Sequence, residues 1–150
     1  MYRYRTMSWI LLSIVHLLIS CSGKSPPPQG AIYKNKFLEN VSFENEDLRQ
    51  ADFSGAHLNS ANFSHANITS GAFIKADLTS ANLTYVNAQH ASFKEARLEG
   101  ADLSYGNFEY AYFEKATLSS VKADGANFKN AKGLSIETIS TLQRAGASFD

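Results

Sequence analysis

The amino-acid sequence predicts an all-β fold in which the chain coils as a solenoid around a narrow apolar interior. An apolar residue returns at every fifth position from Phe43 to Phe128. A small residue, usually alanine, precedes it by two positions, and Asp or Asn often lies between them, as in Ala51-Asp52-Phe53. An α-helix needs apolar spacings of three and four, and a straight strand alternates its side chains, so neither keeps this pattern on one face. A chain that turns a corner once in every five residues does.

The repeats follow one another without interruption. From Ala56 onward the sequence reads AHLNS, ANFSH, ANITS, GAFIK, ADLTS and ANLTY. This tandem A-[DN]-[LF]-x-x motif resembles the pentapeptide-repeat proteins over more than half of the chain. The resemblance implies a right-handed quadrilateral β-helix with four repeats in each coil, which we assign to residues 31–133.

The residues themselves also support a coil of four sides. Every fourth repeat centre from Leu38 to Leu118 is leucine, and every fourth centre from Phe53 to Phe113 is phenylalanine. In a coil of twenty residues these like residues would stack at about 4.8 Å, the spacing of neighbouring strands. The two columns would then lie on adjacent sides.

Three departures from the repeat carry information about the interior. Ala88 and Ala123 are undersized centres, and the small position of the same repeats holds Val86 and Val121. This exchange indicates that volume is conserved within each layer, as a close-packed core requires. Glu46 occupies another small position, from which we expect the first coil to be frayed or open there.

The N-terminus has the pattern of an export signal, which we assign to residues 1–20. Arg3 and Arg5 precede an apolar run from Ser8 to Ser20. That run is shorter than the roughly 20 residues that span a bilayer, as is typical of a secretory signal peptide.

The end of the signal resembles a bacterial lipobox in Leu18-Ile19-Ser20-Cys21. The resemblance implies cleavage before Cys21 and lipidation of this residue, and Ser22 favours the outer membrane. The alternative is that Cys21 is an ordinary residue beside a simple cleavage site. Residues 21–30 then form a tether, in which Pro26 to Pro28 favour an extended, semi-rigid conformation.

The pattern changes after the last repeat. Ile136, Ile139 and Leu142 follow helical spacing, and Ser135 is a suitable N-cap. We therefore predict that residues 134–150 form a short capping helix and a tail over the end of the solenoid. The alternative is that this end pairs with a second copy to form a homodimer.

The sequence contains no catalytic constellation. His57, His65 and His90 do not have zinc-type spacing, and Cys21 is the only cysteine. We therefore expect no enzyme activity, no metal and no cofactor.

One outward feature differs from the repeat. In a coil of twenty residues, an aromatic column forms on one corner, a second forms on the next corner, and one further tyrosine lies just beyond. The six candidate interaction residues are His65, Tyr85 and Tyr105 in the first column, His90 and Tyr110 in the second, and Tyr112. They form either a partner site, for an envelope protein or glycan, or a ladder that only stabilises the wall.

Charge bears on the choice of partner. The whole chain has 14 basic and 14 acidic residues, and Arg3 and Arg5 lie in the signal, so the remainder is weakly acidic. Such a weak net charge supplies no large steering field and argues against nucleic-acid binding. The sequence thus predicts a non-catalytic envelope lipoprotein, anchored through lipid on Cys21 with the outer membrane favoured, and serving as a structural or protein-interaction module. The alternative, from the resemblance, is a cytoplasmic topoisomerase-binding protein that mimics DNA.

Overall fold

The computed structural model describes residues 29–150, so the signal segment, Cys21 and Pro26 to Pro28 lie outside the described part. Parallel bridges join each repeat to the residue twenty positions later, from the Ile32–Asp52 bridge to the Tyr112–Lys132 bridge. This register confirms four repeats in each coil. Within residues 29–150 the bridges are isolated single-residue pairs, and the one helix, α1, is Ile136–Arg144. The β-helix is therefore built from very short extended segments joined by turns.

The coil satisfies the backbone N–H groups of an interior repeat completely. In repeat 61–65 one N–H closes a turn, three bond to adjacent coils, and one donates to a side chain. The N–H of Ala61 closes the turn on Leu58 O at 3.0 Å, and that of Ser64 donates to Asn62 Oδ1 at 3.0 Å. The other three N–H groups bond to adjacent coils: Asn62 to Val41 O at 2.9 Å, Phe63 to Asn82 O at 2.7 Å and His65 to Thr84 O at 3.0 Å. The outward Asp or Asn of the motif thus caps the turn that follows it. Since buried backbone donors need hydrogen-bond partners, this bond explains why the middle position of the repeat is often Asp or Asn.

The corners are β-turns, and most of them are closed by one backbone hydrogen bond. In the turn from Phe53 to Ala56, the N–H of Ala56 donates to the carbonyl of Phe53 at 3.0 Å, and Gly55 has φ +67°. A type II turn requires positive φ at this third position. The same position has positive φ in every repeat of residues 29–130, and most of its occupants are not glycine. The bonds to the neighbouring coils hold these residues in a conformation that they rarely adopt alone.

Rings and leucines fill the interior in columns. The phenylalanine column stacks with centroids 4.9 Å apart for Phe53 and Phe73 and 5.1 Å apart for Phe93 and Phe113. Tyr33 extends this column into the first coil at 4.5 Å from Phe53. All residues of the core cluster lie between Tyr33 and Phe149. The described coils therefore share one continuous core.

The first coil is closed at Glu46, so the expectation of an open coil there is wrong. The N–H of Glu46 donates to the carbonyl of Phe43 at 3.2 Å, and Asp47 forms the next bridge, to Asn67. The Glu46 side chain is half-buried. Because the described residues include no coil before the first one, a long polar side chain fits there at a position that accepts only a small residue in an interior coil.

The C-terminal segment caps the last coil with a helix and a returning strand segment. The Oγ atom of Ser135 accepts the N–H of Thr138 at 3.1 Å, as the sequence predicts for an N-cap. After α1 the tail rejoins the wall, because Ser148 bridges to Asn127 and Phe149 stacks 5.5 Å from Phe128. This tail pairs with an edge that the last coil would otherwise leave open.

Candidate functional site

The structure forms both predicted aromatic columns. We call the six residues His65, Tyr85, His90, Tyr105, Tyr110 and Tyr112 the aromatic patch. In the first column His65 lies 4.8 Å from Tyr85 with 2° between the ring planes, and Tyr85 lies 4.9 Å from Tyr105 at 12°. In the second column His90 lies 5.0 Å from Tyr110 at 4°. The rings on each corner are therefore parallel and in direct contact.

Five of the six residues occupy the turn position with positive φ. Tyr85 has φ +56°, and Tyr105 and Tyr110 both have +60°. Bulky side chains are disfavoured in this region, whereas glycine and asparagine tolerate it. The turn itself therefore does not require aromatic residues. Stacking between coils offsets part of the conformational cost of positive φ at these residues. The aromatic residues give no direct sign in the sequence that their backbone is strained.

Stacking decides which surface the first column presents. Tyr85 is enclosed between His65 and Tyr105, and the outer face of Tyr105 lies against Gly125, where an added Cβ would be 2.8 Å from its ring. The ring faces are thus covered, although Tyr85 and Tyr105 remain 52% and 56% exposed. Ring edges and phenol hydroxyls are what a partner can reach. A sugar ring that needs an aromatic face has no such platform on this corner.

An asparagine wall, which the sequence analysis missed, joins the two aromatic corners. It comprises Asn67, Asn87, Asn107 and Asn127 at the same spacing of twenty residues. The Oδ1 atom of Asn107 accepts the backbone N–H of Glu109 at 3.1 Å and the side-chain amide of Asn127 at 3.2 Å. The twenty-residue spacing that reveals the aromatic columns also reveals this wall. Together they make one continuous polar surface rimmed by ring edges.

Tyr112 lies on the adjacent side of the coil and is not stacked with the other five. It is half-buried, and the Nζ atom of Lys132 lies 5.4 Å from its ring centroid. This geometry is a cation–π contact. Tyr112 therefore extends the patch around the corner but already has a cationic neighbour.

The histidines occupy stacking positions. His57 lies 4.4 Å from Phe37 on another wall, in the same arrangement as His65 with Tyr85 and His90 with Tyr110. Within residues 29–150 no three His, Cys, Asp or Glu side chains come together as a metal site. The same residues include no helix long and apolar enough to cross a membrane. Cys21, the predicted lipidation site, lies outside the described residues.

Charges on the walls are paired between coils. Lys122 lies 3.4 Å from Asp102 and Arg97 lies 3.1 Å from Asp77. Burial opposes ionisation of Asp102, but hydrogen bonds from Ser104 and the nearby Lys122 outweigh it, so the pKa of this carboxyl lies below its usual value. Each of these two walls therefore carries a basic side chain beside its acidic one and does not present a continuous acidic face.

Comparison with known proteins identifies the repeat. The family model described as pentapeptide repeats matches residues 38–71, 61–100 and 96–132. A comparison with curated protein sequences found no significant match.

Solved structures of other proteins also resemble this one. A pentapeptide repeat protein of the Arabidopsis thaliana thylakoid lumen is 24% identical with a TM-score of 0.63, over 83% of this chain and 87% of that one. The protein Rfr23 of the cyanobacterium Cyanothece 51142 is 23% identical with a TM-score of 0.45, over 68% and 87%. QnrB1, a plasmid-mediated fluoroquinolone resistance protein, is 21% identical with a TM-score of 0.39, over 84% and 73%. The first superposition supports the β-helix fold, and the other two are too loose to support a functional parallel.

Proposed function

Since this chain belongs to the pentapeptide-repeat family, we propose that it is a non-catalytic lipoprotein of the bacterial cell envelope, with the outer membrane favoured. Its solenoid serves as a rigid structural or protein-interaction module. The observation that carries the proposal is the Leu18-to-Cys21 segment, which resembles a lipobox and stands at the end of a short apolar run. The described domain supports it, because a solenoid with one continuous core can be displayed on a tether.

The tether has a suitable length and composition. Gly30 lies nine positions after Cys21, and three of the eight residues between them are prolines. At about 3.1 Å per residue, an extended proline-rich segment of this size reaches roughly 28 Å. Two or more acyl chains on Cys21 would give stable anchoring, which a single chain does not provide. The solenoid is then held close to a membrane without entering it.

Palmitate labelling tests the anchoring directly. We expect the wild-type protein to incorporate labelled palmitate and to sediment with membranes, and the Cys21→Ser variant to lose the label. A soluble, unlabelled wild-type protein that retains Met1 would contradict the lipoprotein assignment. Inhibition of topoisomerase would then be the next assay, although the charge pairing on the walls gives that alternative no support.

The aromatic patch is the surface that we propose for a protein partner. Its covered ring faces and exposed hydroxyls suit hydrogen bonding to a protein surface better than stacking on a glycan. The asparagine wall adds amide groups between the two corners. The strained turn conformation of the tyrosines supports a role beyond the turn itself.

Photocrosslinking in cells tests this surface. A benzoylphenylalanine residue at Tyr105 should give a crosslinked adduct, and the same residue at Lys115, a turn position on a different corner with φ +60°, should not. Replacing Tyr85, Tyr105 and Tyr110 with serine should abolish the partner's binding while leaving the fold intact, since Ser80 already occupies the same turn position. Equal adducts at both sites would remove the patch from consideration.

A further inference from the structure

The first two outward wall positions in the described residues differ from all the later ones. The residue before each repeat centre points outward, and from Ser42 to Lys132 it is polar, alanine or tyrosine. In the first coil it is Ile32 and then Phe37, which are 75% and 64% exposed within residues 29–150. Two large apolar side chains therefore lie on adjacent walls at one end of the solenoid.

Two lysines lie between these apolar residues. Lys34 is on the corner that joins the two walls, and Lys36 occupies a position that holds alanine in each of the following coils. Both are exposed, and Asp52, which bridges to Ile32 from the next coil, is an acidic neighbour of Lys34. We call Ile32, Lys34, Lys36 and Phe37 the N-terminal edge. It combines apolar side chains with positive charge, the composition of surfaces that bind lipid interfaces.

The N-terminal edge is also the part of the solenoid nearest to the tether. Ile32 lies eleven positions after Cys21, a reach of about 40 Å at most when the chain is fully extended. Each later coil lies about 4.8 Å farther along the axis. The tether therefore places this edge closer to the anchor than the capped C-terminal end, and the affinity of the edge for lipid decides which end contacts the bilayer.

We propose that the N-terminal edge docks on the surface of an anionic phospholipid bilayer. Ile32 and Phe37 would enter the boundary between headgroups and acyl chains, and Lys34 and Lys36 would pair with lipid phosphates. The nearness of the bilayer rests on the proposed lipid anchor, whereas the affinity of the edge for lipid does not. Phe37 stacks on His57 at 4.4 Å, which covers only one face of its ring, so most of the side chain stays exposed.

Docking would also orient the aromatic patch. The corner that bears Lys34 and the corner that bears His65, Tyr85 and Tyr105 are diagonally opposite in the four-sided coil. With the N-terminal edge on the bilayer and the solenoid axis tilted away from it, the column of Tyr85 and Tyr105 lies on the side away from the membrane. A single arrangement therefore gives a membrane-bound edge and a partner-facing corner.

Vesicle flotation of a fragment comprising residues 22–150 tests the affinity without Cys21. This fragment retains every residue of the described core cluster. We expect it to float with phosphatidylglycerol-containing vesicles and much less with phosphatidylcholine vesicles. Neutralising Lys34 or Lys36 with glutamine should weaken binding about fivefold for each, and Ile32→Ser or Phe37→Ser about tenfold for each. The Ile136→Ser control, at an 88% exposed position on α1, should bind as the wild type does.

Tryptophan fluorescence tests the orientation of the lipidated protein. The only tryptophan, Trp9, lies in the signal segment, so an introduced tryptophan reports alone after cleavage. Brominated phospholipids should quench Phe37→Trp strongly and Thr117→Trp weakly, because Thr117 lies four coils farther along the same wall. Equal quenching at the two positions would overturn the proposed orientation.

Two further outcomes of these tests would overturn the docking proposal. One is flotation that does not depend on phosphatidylglycerol. The other is concentration-dependent dimerisation of the fragment that Ile32→Ser or Phe37→Ser abolishes, since a second copy would then cover the edge. The fragment lacks Cys21, so the two experiments separate the two proposals. If the fragment floats but the full chain takes up no palmitate, the lipid anchor is refuted and the docking edge is not. If the full chain is labelled but the fragment does not float, the docking edge is refuted and the lipid anchor is not.

Discussion

The layer that contains Val86 and Ala88 gives the sharpest test of how the interior is packed. Both side chains are fully buried, with exposed fractions of 1% and 0%. Val86 occupies the position that is usually alanine, and Ala88 occupies the centre that is usually Leu or Phe. If the valine fills the volume that Ala88 leaves empty, then Val86→Ala opens a cavity although alanine is the commonest residue at its position.

The expected loss follows from the atoms removed. Val86→Ala deletes two buried carbon groups, worth about 1.6 kcal/mol of transfer free energy at about 0.8 kcal/mol for each. The cavity that remains adds to this, for a total of about 1–3 kcal/mol in the free energy of unfolding. In a domain of this size we expect the melting temperature to fall by about 4–12 °C.

Thermal unfolding followed by circular dichroism measures this loss in the fragment of residues 22–150. Val121→Ala is the matched control, since Val121 holds the same repeat position beside Ala123 but is only half-buried. Its loss should be clearly smaller. The double variant Val86→Ala with Ala88→Val restores the volume and should recover part of the stability. An unchanged melting temperature in Val86→Ala would refute the volume argument.

Three other perturbations test the turns and the cap. Gly106→Ala should lower the free energy of unfolding by about 1–3 kcal/mol, because the new Cβ would lie 2.5 Å from a buried ring carbon of Phe108; a higher denaturation midpoint in urea would contradict this. Hydrogen bonding from Ser54 holds the pKa of the Asp52 carboxyl below its usual value in the folded protein. The ionised carboxylate therefore stabilises the fold at pH values above the unfolded-state pKa, and this stabilisation is lost as the pH falls through the lower folded-state pKa. The melting-temperature gap between wild type and Asp52→Asn should therefore be open at pH 6 and shrink toward pH 2, whereas a constant gap would show that ionisation is irrelevant. Ser135→Ala removes the N-cap of α1 and should cost about 1 kcal/mol, measured by urea unfolding; Ser135→Asp, which can also cap, should cost less.

Much of the architecture could be predicted from the period alone. Five-residue spacing, the leucine and phenylalanine columns and the exchange of Val86 with Ala88 all follow from the need of each repeat to bury its centre against neighbouring coils. The model confirms the twenty-residue register. The boundaries of α1 are equally local, because Ser135 supplies the cap and the helical spacing begins directly after it.

The candidate site could be predicted only as a set of positions. The twenty-residue register places Tyr85 beside Tyr105, but it does not say whether their faces or their edges are exposed. That depends on ring contacts with adjacent coils and on the room that Gly125 provides. The asparagine wall was missed because Asn is common at this repeat position, and its hydrogen bonds become visible only when consecutive coils are placed together.

The sequence by itself determined the repeat, the length of the coil and the residues that point inward, because these depend on hydrophobic spacing along the chain. Only the tertiary structure decided that the first coil closes at Glu46, that the turns hold tyrosines at positive φ, and that the tail returns to pair with Asn127. Each of these features depends on contacts between residues about twenty positions apart. Bonds and packing at that distance outweigh the local preference of a single residue, so they appear only when the coils are stacked.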